Sequence, residues 1–195
     1  MASDVETYIA HVERVVGKPA SGFFPVGKGR PGLPPVTAVL FEASPYRDCL
    51  TAVTYGLSLV ARPEWKLGRP ELMISVQSTD KLWAMAIADV AQKGRDDKSF
   101  TYGTCIDFQI PVSEESPMSA FLVFAPTLVN RSLNREESSV RLSSYTIHLA
   151  GMYPLHAAEM ALYREIGLER FWHLPDFDPW NVQRPDLSLG HGADA

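Results

Sequence analysis

The chain has 195 residues, 46% of them apolar and 21% charged, the balance of a folded domain with a buried core rather than of a disordered or membrane-spanning chain. No stretch approaches the ~18 consecutive apolar residues of a spanning helix. With 18 basic against 23 acidic side chains the formal charge is −5, which speaks against a nucleic-acid platform and allows a basic protein partner.

Ser3-Asp4-Val5-Glu6 has the form of a capping box, in which hydroxyl and carboxylate satisfy amides at a helix start. Val5, Tyr8, Ile9, Val12 and Val16 then share one face, so a helix is predicted over 3–16, stopped by Gly17 and Pro19. Acidic residues stand where a secretory leader would be basic and then apolar, so a cytoplasmic protein is expected, with Cys49 and Cys105 as reduced thiols. Residues 21–35 carry four glycines and four prolines and read as an irregular crossing segment.

Val36 to Ala43 and Cys49 to Thr54, parted by Ser44-Pro45-Tyr46-Arg47-Asp48, predict two antiparallel strands. The second runs into Tyr55-Gly56-Leu57-Ser58, where glycine can take a backbone angle that other residues resist. A third strand follows at Glu71 to Val76, with Leu72, Ile74 and Val76 in period two, and then a helix between Thr79 and Lys93 bearing Trp83, Ile87, Val90 and Ala91. Thr104 to Pro111, Ala120 to Ala125 and Arg141 to Leu149 are the remaining strand candidates, with a polar loop over 130–139. Pro154 suits the first turn of a helix that turns Leu155, Ala158, Leu162 and Ile166 inward and is capped by Gly167 before a short turn through Phe171-Trp172. The expectation is one α+β domain over 1–185, a mixed and largely antiparallel sheet of about six strands with helices packed on it, and a frayed tail over 186–195.

Catalytic patterns are incomplete. Gly27-Lys28-Gly29-Arg30-Pro31-Gly32 matches the dinucleotide fingerprint in letters, but the prolines around it prevent the helix that would hold a pyrophosphate. Ser58 lacks the second glycine of a nucleophile elbow and reads as a turn hydroxyl. His156 and Glu159 could share a metal at helical spacing, yet no further ligand follows, and a helix-surface pair is the simpler reading. His148 reads as a hydrogen-bonded wall residue, and Asp176, Asp178 and Asp186 as a solvated loop pinned to Arg184 by an Arg–Asp pair. Trp83 and Trp172 read as core, while Trp180 either seals the fold or anchors a partner.

The order Tyr55-Gly56-Leu57-Ser58, a Glu71-Leu72 strand, a Trp83 helix, an apolar strand ending at Pro126, Tyr145 to Leu149, Pro154-Leu155 with Glu159, and a closing Asp178 to Arg184 resembles the suppressor-of-fused domain over about Val36 to Arg184. The resemblance implies a non-enzymatic protein-binding domain. In animals such a domain is the first half of an inhibitor that sequesters a zinc-finger transcription factor of Hedgehog signalling; bacterial single-domain members look like immunity proteins, and this short acidic chain resembles those. It implies a protein partner, a toxin domain among the candidates, bound stoichiometrically, with no cofactor, metal, nucleic acid or membrane. Tyr55, Asp107 and Trp180 are the expected partner-binding rim. Two alternatives stand beside it: a scaffold that binds a peptide by strand addition to a sheet edge, and a hydrolase using His156, Glu159 and Asp178.

Overall fold

The computed structural model describes residues 3–190. Helix α1 (Asp4–Val16) opens on the Ser3–Glu6 capping box and closes at Gly17, whose φ of 84° supplies the left-handed cap. The irregular segment expected next contains an ordered strand, β1 (Gly22–Val26), paired antiparallel with β2 (Val36–Glu42). Antiparallel β3 (Leu50–Tyr55) and β4 (Arg69–Val76) follow, then α2 (Leu82–Gly94).

Strand β5 (Cys105–Asp107) is far shorter than the predicted run to Pro111, because Gln109 turns to a φ of 71° and Pro111 cannot donate to a ladder. Strand β6 (Ala120–Phe124) pairs antiparallel with β5, and β7 (Thr127–Leu128) with β8 (Arg131–Ser132) forms a separate two-stranded hairpin. The predicted strand over 141–149 resolves into β9 (Ser139–Arg141) and the long β10 (Thr146–Leu155).

The main sheet runs β1-β2-β3-β4-β10-β6-β5, with β9 paired to β10, so it has eight strands where about six were expected. Only the central β4–β10 pair is parallel. Pro154 belongs to β10 and starts no helix. Strand β4 pairs β10 only as far as Gly151, so beyond that point β10 has β6 alone as a neighbour and the missing N–H of proline costs nothing. Helix α3 (Glu159–Trp172) therefore starts later, and Gly167 breaks it at a φ of 80° as the sequence suggested.

Three layers result. Helix α2 buries Trp83, Ile87 and Val90 against one face, through Leu40, Leu72, Ile74 and Phe121. On the other face α1 covers Val39, Phe41, Met73 and Leu149 through Tyr8 and Val12, and α3 covers Leu122, Tyr153 and Leu155 through Leu162 and Phe171. Among the described residues no helix is long and apolar enough to cross a membrane.

Candidate functional site

The Tyr55-Gly56-Leu57-Ser58 turn is held by a carboxylate that lies fifteen residues after Gly56 and is wholly buried in β4. One oxygen of Glu71 accepts from the Gly56 amide at 2.8 Å, the Ser58 amide at 2.9 Å and the Ser58 hydroxyl at 2.7 Å; the other accepts from the Thr54 hydroxyl at 2.6 Å. Burial pushes the Glu71 carboxyl up, and these four donors pull it back toward the charged form. Ser58 is thus a turn hydroxyl, as its sequence context suggested. Gly56 has a φ of 127°, and a Cβ there would stand 3.1 Å from Val36 Cα and 3.2 Å from Arg95 Nη2.

The same end of the sheet carries the candidate site. After the Ser58 turn the chain makes a loop over 60–68 that returns to β4 at Gly68, whose φ is 128° and whose Cβ, if present, would sit 2.9 Å from the Thr146 carbonyl oxygen. Only glycine lets this loop approach β10 so closely. The loop and the segment 99–102 wall a cavity of about 180 Å³, with Trp65, Phe100, Tyr102, His148 and Ala150 around it. It continues into a wider cleft of about 830 Å³ beside Lys66, Leu67, Arg135 and Thr146. Leu67 stands on the lip at 66% exposure.

His148 is a wall residue, as expected. Its Nε2 is hydrogen-bonded to the Tyr102 hydroxyl at 2.7 Å, and burial holds its pKa below the usual imidazole value while raising that of Tyr102. Arg69 ties the Ser58 turn to the chain before β10, donating to the Ser58 carbonyl at 3.2 Å and lying 4.1 Å over the Tyr145 ring. The Tyr102 hydroxyl and His148 are spent on each other, and the rest of the wall combines apolar surface with the charged side chains of Glu64, Lys66 and Arg135.

The expected rim does not assemble in one place. Tyr55 lies at the groove end, but its half-buried ring packs on the opposite face, 5.5 Å from Tyr8, where burial raises its pKa to about 12. Asp107 is exposed at the end of edge strand β5. Trp180 accepts from the Gln77 amide at 2.8 Å and donates its indole N–H to the Thr127 hydroxyl at 2.9 Å. These last two are at the far end of the sheet, since Gln77 follows β4 and Asp107 is aligned with Ala120 and Leu155.

The His156, Glu159, Asp178 set is not a catalytic constellation. Glu159 is wholly buried, not on a helix surface, and Arg184 grips it with both terminal nitrogens, Nη2 donating to Oε2 at 2.7 Å and Nη1 to Oε1. The His156 amide donates to Oε2 at 3.0 Å and the Leu187 amide to Oε1 at 3.0 Å, so no oxygen is free for chemistry. The sequence paired Arg184 with an aspartate; the buried Glu159 takes that place because desolvation makes an unpaired carboxylate costly there. Asp178 instead accepts from the amides of Trp180 and Asn181. The tail expected to fray from 186 is ordered through 190, with Leu187 buried in a single 3₁₀ turn; residues 191–195 lie outside the described residues.

Sequence reasoning missed the groove. Trp65 carried no periodicity, Tyr102 sat between predicted elements, and the only available signal was a Trp-Lys-Leu-Gly run at 65–68 that ends on a glycine before a strand.

A three-layer α+β scaffold with a mixed sheet, a glycine turn locked by a buried glutamate and a groove at that end is the class these observations define. Solved structures specify it further: the chain has the suppressor-of-fused fold. It is similar to a suppressor-of-fused homologue from Neisseria gonorrhoeae FA 1090, at 15% identity over 92% of this chain and 94% of that one, with a TM-score of 0.67. It is also similar to a chain of the Sufu–Fu complex, at 12% identity over 96% of this chain and 93% of that one, with a TM-score of 0.68. Drosophila Suppressor of Fused matches at 12% identity over 96% of this chain and 51% of its own length, with a TM-score of 0.67. No family model matches the sequence, and no curated protein does.

Proposed function

We propose that this chain is a non-enzymatic protein-binding domain that engages its partner through the groove at the Gly56 end of the sheet, and that it acts as a stoichiometric inhibitor, an immunity protein that neutralises a bacterial toxin. The groove carries this reading: it combines an apolar cavity, an exposed Leu67 and aromatic walls, the make-up of a pocket that receives a side-chain anchor. Two likenesses support it. One matched structure is a complex between a Sufu chain and Fu, and another is a single-domain-sized bacterial homologue. Inhibition by coverage asks for no catalytic group, which accords with the structural use of His156, Glu159 and Asp178.

A second reading has its own observation. Among the described residues strand β1 pairs only with β2, and Phe23 on it is 54% exposed; a peptide added at its other edge would extend the sheet. Asp107 and Trp180 would then form a separate contact at the far end, and Tyr55 would act through the groove end.

The test is to capture the partner on the purified chain, identify it by mass spectrometry, and express it with and without the chain in a sensitive host. The immunity reading expects growth arrest by the partner alone and rescue by the chain in a 1:1 complex. A harmless partner contradicts immunity and leaves a regulatory scaffold; a captured partner that binds Phe23→Asp poorly and Leu67→Asp fully moves the site to the β1 edge.

A further inference from the structure

The groove is selective in its chemistry, and this inference rests on the protein-binding reading. Its charged side chains without an ion-pair partner among the described residues are cations. Among the described residues the buried Trp65 indole nitrogen has no hydrogen-bond partner, so its NMR peak is a reporter of anything that seats beside the ring. Lys66 and Arg135 are exposed on the wider part of the cleft and take part in no ion pair among the described residues. The carboxylate of Glu64 is also in the wall but is already bridged to Arg62, whose guanidinium stands 5.8 Å from the centre of the Trp65 ring. Two cations without an ion-pair partner therefore meet in one cleft of a chain whose formal charge is −5, so the local field opposes the overall one.

The cavity of about 180 Å³ under Trp65 and Phe100 has room for one large side chain, with Leu67, Pro70 and Ala150 as further apolar wall and the Tyr102–His148 pair already joined. We infer that the groove binds an acidic segment of the partner protein, one large apolar side chain seated beneath Trp65 with an adjacent aspartate or glutamate held by Lys66 and Arg135. A basic segment meets repulsion from both cations, and a purely apolar one leaves them without a counter-charge, so the groove discriminates by sign as well as by shape.

Heteronuclear NMR on the nitrogen-labelled full chain tests this with blocked peptides, so that no terminal carboxylate contributes. The probes are acetyl-Leu-Asp-Glu-amide, acetyl-Leu-Lys-Lys-amide and acetyl-Ala-Asp-Glu-amide; the Trp65 indole N–H peak is assigned with Trp65→Phe. The first peptide is expected to shift that peak and the amides of 64–68 and 99–102, the second to leave them in place, and the third to need a higher concentration. Lys66→Glu with Arg135→Glu, both exposed and away from the core, is expected to weaken the first peptide about tenfold, or ~1.4 kcal/mol. Equal response to the acidic and basic peptides, or no response to the acidic one, overturns the inference. If the captured partner is lost on Leu67→Asp yet binds the doubly reversed variant at full strength, the groove remains the binding site and the acidic chemistry alone is wrong.

Discussion

Glu71 is the residue on which the local structure turns. Its carboxylate is the acceptor for Thr54, Gly56 and Ser58 at once, so Glu71→Ala leaves several buried donors unpaired and is expected to cost about 4 kcal/mol. Urea unfolding measures it as a lowered midpoint at unchanged slope; a loss under about 1 kcal/mol would mean that water replaces the carboxylate. Gly68→Ala adds a Cβ 2.9 Å from the Thr146 carbonyl oxygen at a φ of 128° and is expected to cost about 2 kcal/mol and to displace Trp65 and Leu67. Tryptophan fluorescence together with the unfolding midpoint reads both effects.

His148 gives the molecule a pH dependence with a definite sign. Burial depresses its pKa in the folded state, so the unfolded chain binds the proton more readily and stability falls as pH drops below about 6.5. His148→Gln, which keeps a partner for Tyr102, is expected to flatten that fall between pH 7 and pH 5; an identical fall in the variant assigns it elsewhere, with His11, shifted the same way by burial, the next group to test. The sequence showed that Tyr55-Gly56-Leu57-Ser58 is a turn and that Ser58 serves it. It did not show that Glu71 is what the turn serves, because a glutamate flanked by apolar strand residues carries no mark of its acceptors.

At the scale of elements, the strands and helices whose residues repeat with a clear period were legible. The α1 capping box, the β2–β3 pair, the period-two run of β4 and the Trp83 helix all lie where the sequence put them. Elements fixed by tertiary partners were not. β1 hides among glycines and prolines because an edge strand tolerates Pro25, and Pro154 looked like a helix start because the sequence does not reveal that β4 stops pairing at Gly151.

The Arg184–Glu159 pair is of this kind, since its partners lie 25 residues apart and join the start of α3 to the closing segment. Arg184→Ala leaves a buried carboxylate without its cation and is expected to cost about 3–5 kcal/mol, with hydrogen exchange rising first in 176–190 and in the first turn of α3. Exchange that rises evenly over the whole sheet would show that the pair supports the global fold and not this local clasp. Glu159→Gln with Arg184→Met, which removes both charges, is expected to recover much of the loss.

For the whole molecule, the sequence resemblance and the three-dimensional likeness agree on the fold: a suppressor-of-fused scaffold at 12–15% identity to the solved structures, recognised through the order of its turns and strands where overall similarity is low. The site was less legible, because a groove is formed by residues from three separate segments, 64–68, 99–102 and 146–150, none of which has a pattern of its own. Conversely Tyr55, Asp107 and Trp180 stood out as exposed-looking positions along the chain, but the topology sends them to different ends and faces. The proposed function requires that this scaffold hold a protein in that groove. Calorimetric titration of the captured partner against the parent chain and against Leu67→Asp decides the matter: one-to-one binding that falls at least about tenfold in the variant while the unfolding midpoint stays put is the expected result, and undiminished affinity in a folded Leu67→Asp chain would overturn the groove as the binding site.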